Sequence, residues 1–390
     1  MATPSWQIVA SWVVYDQGPA MFPGLAYAPD GSLLASFSTV PDGLPGGEIH
    51  LIRSHDHGHT WGGAQVIARS DRPGGAALNA LGLTALSDGT LLLPYNDVRT
   101  QSGYREREAR LYLLRSGDGG RTWEGSGPVA GEVHEPLTYG QIVERPDGVL
   151  LWPIWGRYRR EERWRAALLF SEDGGRHWGH YTTIAFDPEA RLRGDYAQPA
   201  FSGFDEEGEF DPQALAQPAF RPHSPVDGFN ETSLIRLADG RILAILRQQG
   251  VDGRQHLSFY RALSDDGGRT WFPYRRTNLC GMSPGLHISP GGQLLLAYRR
   301  CAPRTPPSGG TGAEPGLGLA YSRDAGLTWE TLLTLREPKG SRYTAEYQVG
   351  YPALVNRPDG QILVVYYSYA ETLPQRRYLA ANLLGEVTRD

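Results

Sequence analysis

Lysine is almost missing from this chain: Lys339 is the only one among 38 Lys and Arg residues in a sequence of 390. No basic block stands out and the formal net charge is −5, so a nucleic-acid binder's electrostatic footprint is absent. The two cysteines, Cys280 and Cys301, fall close enough in sequence to meet, yet two thiols support neither a disulfide framework nor a metal site. No apolar run is long enough to span a membrane, and Met1–Ser11 has neither the charged start nor the apolar centre of a secretory leader. A cytoplasmic protein is expected from the chain as given, or a secreted one if a leader has been removed. Zinc-ligand, phosphate-loop and Ser-His-Asp patterns are missing too, so no metal or cofactor is expected. His55, His57 and His59 alternate, but they sit inside a repeated turn.

Glycine, at 49 residues, and proline, at 29, are abundant, as a chain of many tight turns requires. One motif recurs five times, Ser-x-Asp-x-Gly-x-(Thr or His)-Trp, at Ser54–Trp61, Ser116–Trp123, Ser171–Trp178, Ser264–Trp271 and Ser322–Trp329. Repetition at this period means one supersecondary unit used over and over. Asp56, Asp118, Asp173, Asp266 and Asp324 can accept backbone N–H groups, and the glycine two residues on takes a conformation that L-residues resist. The tryptophans can then plug the space between strands. A second repeat is a tight turn before an apolar strand, at Asp30-Gly31, Asp88-Gly89, Asp147-Gly148, Asp239-Gly240, Gly291-Gly292 and Asp359-Gly360. Asp-Gly between apolar runs is a strong hairpin signal.

Six turns against five boxes is itself informative. The sixth unit carries strands at Ile362–Tyr369 and Arg377–Leu384, then the chain ends without an outer strand. Trp6–Tyr15 is a β-rich run with no unit of its own, and it is expected to supply that strand, removing exposed edges. The five boxes resemble the Asp-box, or bacterial neuraminidase repeat, which joins the third and fourth strands of propeller blades. The resemblance implies an all-β, six-bladed β-propeller of four-stranded antiparallel blades, one domain over residues 1–390. An irregular insertion at about 187–228 has no strand or helix periodicity, as functional loops of that length often do not.

In such a fold the strand ends opposite the boxes converge on a central channel. Candidates there are Met21, Asp42, Asn96, Asp97, Arg99, Glu135, Tyr139, Arg157, Glu231, Arg247, Arg299, Arg300 and Tyr351. This mixture of carboxylates, arginines and tyrosines suits an anionic or polyhydroxylated ligand, that is, a glycan. The stretch Asn230-Glu231 through Arg247 resembles the sialidase (neuraminidase) segment in which a Glu polarises a catalytic Tyr and an Arg holds the substrate carboxylate. Gly350-Tyr351-Pro352 resembles the segment carrying that Tyr. The loop after Leu34–Phe37 is where the family has its acid/base Asp, here Asp42, with Glu48 as an outside candidate. A phenol ionises near pH 10 unaided, so Glu231 would have to take its proton. A neutral Tyr also suits an anomeric carbon bearing a carboxylate, which would repel a carboxylate nucleophile. Arg247 can grip a carboxylate with two parallel bonds.

The resemblance breaks at one point. Sialidases open their first blade with Arg-Ile-Pro, whereas this chain has Met21-Phe22-Pro23. The first of three clamp arginines is gone, and Arg299, Arg300 and Arg304 crowd the region of the third. The function expected is a retaining exo-glycosidase acting on a terminal acidic, sialic-acid-like sugar. Tyr351 would be the nucleophile, Glu231 its base and Asp42 the acid/base. Arg247, Arg299, Arg300, Glu135, Asp97 and Arg157 would bind substrate. Two alternatives stay open: a glycosidase on neutral sugars using a carboxylate pair (Glu135 with Glu231, or Asp97 with Glu231), and a propeller that binds carbohydrate without turnover. No nucleic-acid or membrane partner is expected, and oligomeric state is left open.

Overall fold

A computed structural model describes residues 4–40, 44–72, 74–100, 107–129, 133–158, 164–187, 228–249, 258–300, 316–336, 349–369 and 377–387. Asp42, Cys301 and most of the 187–228 insertion lie outside the described residues. Strands, turns and irregular chain make up what is described, with no helix among them, and none long and apolar enough to cross a membrane.

The strands form five sheets with antiparallel ladders. The first is a meander of Met21–Tyr27, Leu33–Ser38, Glu48–Ser54 and Gln65–Arg69. The second sets Ala77–Ala80 and Thr84–Ala85 against Leu91–Thr100, followed by Arg107–Ser116 and Glu124–Gly125. In the third, His134–Thr138 and Val143–Glu144 pair with Leu150–Arg157, followed by Arg165–Ser171 and Gly179–Ala185. The fourth has seven strands from Gly228–Arg236 to Glu330–Arg336. It is two meanders sharing one long strand, Arg275–Ile288. The first half of that strand pairs with Ser258–Ser264 and its second half with Leu294–Arg300. The last sheet holds Gly350–Asn356, Ile362–Tyr369 and Arg377–Glu386, with Trp6–Tyr15 at its outer edge. Trp6 faces Glu386 and Tyr15 faces Leu379, so the N-terminal strand does complete the C-terminal sheet.

The boxes are hydrogen-bonded as their composition requires. In the first, Ser54 Oγ donates to Asp56 Oδ1 at 2.7 Å and accepts from Gly58 N at 2.8 Å. Thr60 gives Asp56 both its backbone N–H and its hydroxyl, at 2.8 and 2.6 Å. Gly58 has φ +95°, and its carbonyl accepts the indole N–H of Trp61 at 3.0 Å. The other four boxes repeat the bonds from Ser to Asp and from Gly to Ser. His177 takes the threonine's place in the third, its Nδ1 lying 2.5 Å from Asp173 Oδ2.

There is no single core. Apolar clusters lie between neighbouring sheets: Leu34 and Leu51 of the first sheet pack with Leu78, Leu91 and Leu114 of the second. Leu111 and Leu113 likewise pack with Trp152, Ala167 and Leu169 of the third. The first strands of neighbouring units also touch one another: Met21–Tyr27 against Gly350–Asn356, that strand against Arg275–Ile288, and Arg275–Ile288 against Gly228–Arg236. In places backbone meets backbone: a Cβ on Gly285 would lie 2.7 Å from the carbonyl oxygen of Pro352. A Cβ on Gly82, at φ +87°, would lie 1.8 Å from the carbonyl oxygen of Gly140.

Candidate active site

Five first strands share one backbone irregularity. Phe22, Glu135, Glu231, Ser283 and Tyr351 have φ of 55°, 51°, 41°, 53° and 53°. Each sits where the register with the next strand slips: between Met21 and Gly24, His134 and Leu137, Asn230 and Ser233, Met282 and Gly285, and Gly350 and Ala353. A bulge re-aims the side chain it carries, and left-handed φ at a residue other than glycine costs roughly 1–3 kcal/mol. Proline follows Phe22, Glu135, Ser283 and Tyr351. A residue without an N–H is admissible there because the strand is innermost and bulged. Four of these strands, together with the turns at Gly82 and Gly140, line a cavity, with Pro23, Ser233, Pro284, Tyr351 and Pro352 among its walls.

Two of the re-aimed side chains meet. Tyr351 Oη donates to Glu231 Oε1 at 2.7 Å. The same oxygen is 2.8 Å from Arg247 Nη1, and both partners of this ion pair are nearly buried. Glu231 Oε2 accepts the backbone N–H of Ser283 at 2.9 Å, an N–H turned toward it by the next unit's bulge. Donors on both oxygens fix the orientation of the carboxylate. Burying an ion pair is no route to stability, because desolvation offsets the attraction; its presence here is better explained by chemistry.

Aromatic rings enclose the pair. Phe22 meets Tyr351 edge-on at 4.7 Å between centroids, Tyr139 does so at 5.6 Å, and Tyr367 stacks at 5.8 Å. Burial pushes the Tyr139 phenol well above its ordinary 10, with the Glu231 charge adding to this and Arg247 opposing it. Tyr139 is therefore a neutral wall of the site at any physiological pH.

The remaining candidates fall in different places. Arg299 runs beside the nucleophile candidate, its Cδ 3.6 Å from where a Cβ on Gly350 would lie. Arg300 points to the opposite face, as strand alternation demands, and packs along Gly318. Glu135 occupies the same bulge position as Glu231, and its Oε2 is buried with no hydrogen-bond partner among the described residues. Arg157 closes the second strand of that sheet opposite His134. Asp97 is not in the Tyr351 cluster's hydrogen bonds: it pairs with Arg72 at 2.8 Å, both side chains nearly buried, and accepts from Ser70 Oγ at 3.4 Å. Glu48 is unsuited to proton donation. Hydrogen bonds from His50 and Arg69 hold it below the usual carboxylate range, and a general acid needs the reverse. Met21 is buried.

Reading side chains alone missed Ser283, because its contribution is a backbone N–H. The recurring residue-Pro pair at the first strand of a unit was the available signal. Phe22 and Tyr367 were missed because core aromatics and site aromatics look alike in sequence. Among the described residues, no group of three or more His, Cys, Asp or Glu is placed to hold a metal ion.

The model of the BNR repeat-like domain family matches residues 31–364, and the chain belongs to that family. A sialidase from Micromonospora viridifaciens is 25% identical over 373 residues, covering 88% of this chain and 49% of the relative. The chain thus spans about half the length of the curated relative it matches. Among solved structures, a protein of unknown function from Dyadobacter fermentans is similar over 99% of this chain and 100% of its own, at TM-score 0.73 and 21% identity. An α-L-arabinanase of Penicillium chrysogenum, complexed with arabinobiose, aligns over 97% and 98% at TM-score 0.62 and 15% identity. The fold is the all-β, propeller-like fold that these proteins share, and the chain is a BNR-repeat protein similar in sequence to a sialidase.

Proposed function

We propose that this protein is a six-bladed propeller, one domain, acting as a retaining exo-glycosidase on a terminal acidic, sialic-acid-like sugar. The observation that carries the reading is the 2.7 Å hydrogen bond from Tyr351 Oη to Glu231 Oε1. It joins residues 120 positions apart, each on a strained bulge. In the first step Tyr351 Oη attacks the anomeric carbon and passes its proton to Glu231. The bond to the leaving oxygen breaks as Asp42 protonates that oxygen. Water, deprotonated by Asp42, then displaces Tyr351, which recovers its proton, and two inversions give net retention. Arg247 and Arg299 hold the substrate carboxylate. The sialidase relative supports the substrate class, as does the supply of arginine around a neutral nucleophile.

The test is hydrolysis of a fluorogenic α-sialoside by the wild type and by Tyr351→Phe. Turnover by the first and near-loss by the second supports the proposal; no turnover by the wild type removes sialic acid as the substrate.

One observation favours a second reading. The Oε2 of Glu135, buried with no hydrogen-bond partner among the described residues, suits a carboxylate pair with Glu231 acting on a neutral sugar, and the arabinanase neighbour supports that direction. Turnover of an arabinoside that survives Tyr351→Phe and fails in Glu135→Gln would select it.

A further inference from the structure

One oxygen of Glu231 serves two donors at once. Tyr351 Oη donates to Oε1 at 2.7 Å, and Arg247 Nη1 lies 2.8 Å from the same atom. The other oxygen is held by the N–H of Ser283 at 2.9 Å. These donors come from three strands, Gly350–Asn356, Ile242–Gln249 and Arg275–Ile288, and each bonds a carboxylate more strongly than a neutral acid. Glu231 and Arg247 are each 5% exposed, so solvent ions screen the pair little. The phenol of Tyr139, a wall of the cavity, is raised by burial first, then further by Glu231 and against the pull of Arg247. Both charges are thus felt at the cavity wall.

Charge balance then sets a condition on the reaction. In the resting cluster the phenol is neutral, and the charges of Glu231 and Arg247 oppose each other. When Tyr351 Oη attacks the anomeric carbon, its proton moves to Glu231 Oε1. The bond from that carbon to the leaving oxygen breaks, and the leaving oxygen takes a proton from the general acid. Glu231 is now neutral, while Arg247 keeps its charge. The 2.8 Å contact falls from an ion pair to a bond with a neutral acid, and discharging one partner of a buried pair is strongly unfavourable. An anion delivered to Arg247 before the proton moves offsets that loss. We infer that Arg247 locks the base: Glu231 takes the Tyr351 proton only once the carboxylate of the sugar has engaged Arg247. This rests on the acidic-sugar reading above and adds to it a coupling of recognition to chemistry. The carboxylate is then read in kcat as well as in binding, and a neutral sugar that fits the cavity is held without being cleaved.

The test measures kcat and KM separately for a fluorogenic α-sialoside and for its uncharged methyl ester. The proteins are the wild type, Arg247→Gln and Arg247→Lys, each checked for folding by circular dichroism. Acid and ester differ in intrinsic reactivity by a factor common to all three, so the deciding quantity is the kcat of the ester from protein to protein. Arg247→Gln keeps a donor but removes the charge, and it should raise the ester's kcat about tenfold or more above wild type while lowering that of the acid. Arg247→Lys keeps the charge and should leave the ester as slow as in the wild type. An ester kcat in Arg247→Gln no higher than wild type overturns the inference and leaves the glycosidase proposal standing. A rise of the same size in Arg247→Lys also overturns it, since shape and not charge would then be responsible. The wild type gives a second reading that needs no variant: equal kcat for acid and ester, with only KM differing, overturns the lock. If the wild type cleaves neither, the acidic-sugar reading fails and this inference falls with it.

Discussion

The box turns and the bulged strand starts lie at opposite ends of the same sheets, and both repeat around the molecule. In the boxes, backbone and residues repeat together: the Ser, Asp and Gly of the motif make the same bonds in all five, and the Trp donates to the box glycine carbonyl in four of them. At the strand starts the backbone repeats, with proline next in four of five, but the bulged residue itself does not. Phe22, Glu135, Glu231, Ser283 and Tyr351 share a left-handed φ and little else. A repeated geometry with fixed residues is scaffold. A repeated geometry with divergent residues is a frame that presents different groups to one space, and there the chemistry belongs.

The largest effect expected from breaking this contrast is on turnover. Tyr351→Phe should lower kcat by on the order of a thousandfold, and Glu231→Gln by about 10²–10⁴-fold, with far-ultraviolet circular dichroism unchanged. At the frame itself, Gly82→Ala should lose about 2–4 kcal/mol in urea unfolding. Its methyl group meets the Gly140 carbonyl and sits on a positive φ. Asp56→Ala strips one box of the bonds from Ser54 and Thr60. It should cost about 1–2 kcal/mol and leave kcat as it was, since the box is remote from the site.

The smallest effect is a pH dependence. At Asp56 and Asp266 burial opposes ionisation, but bonds from the threonine and serine of the box outweigh it and pull both to about 2, against an ordinary 3.8. A carboxylate depressed on folding stabilises the fold above its unfolded value and loses that contribution as pH falls through the folded one. Thermal midpoints should therefore drop between about pH 4 and about pH 2, and Asp56→Ala should flatten part of that drop.

This contrast also explains what was legible. Box turns and Asp-Gly turns are specified by local bonds within a few residues, so the all-β, antiparallel organisation and the N-terminal strand at the edge of the last sheet could be read along the chain. Glu231, Arg247 and Tyr351 were legible only by resemblance, since nothing local links positions 120 apart. The Asp97–Arg72 pair was not legible, because nothing in the sequence links Asp97 to a residue 25 positions earlier on a loop. Ser283 acts through its backbone N–H. It has no side-chain pattern of its own.

The most direct test is to trap the intermediate with a fluorinated sialoside and map the labelled residue by mass spectrometry. Label on Tyr351 is the predicted result. Label on Glu231 or Glu135 would contradict the tyrosine–glutamate mechanism and establish a carboxylate nucleophile in its place.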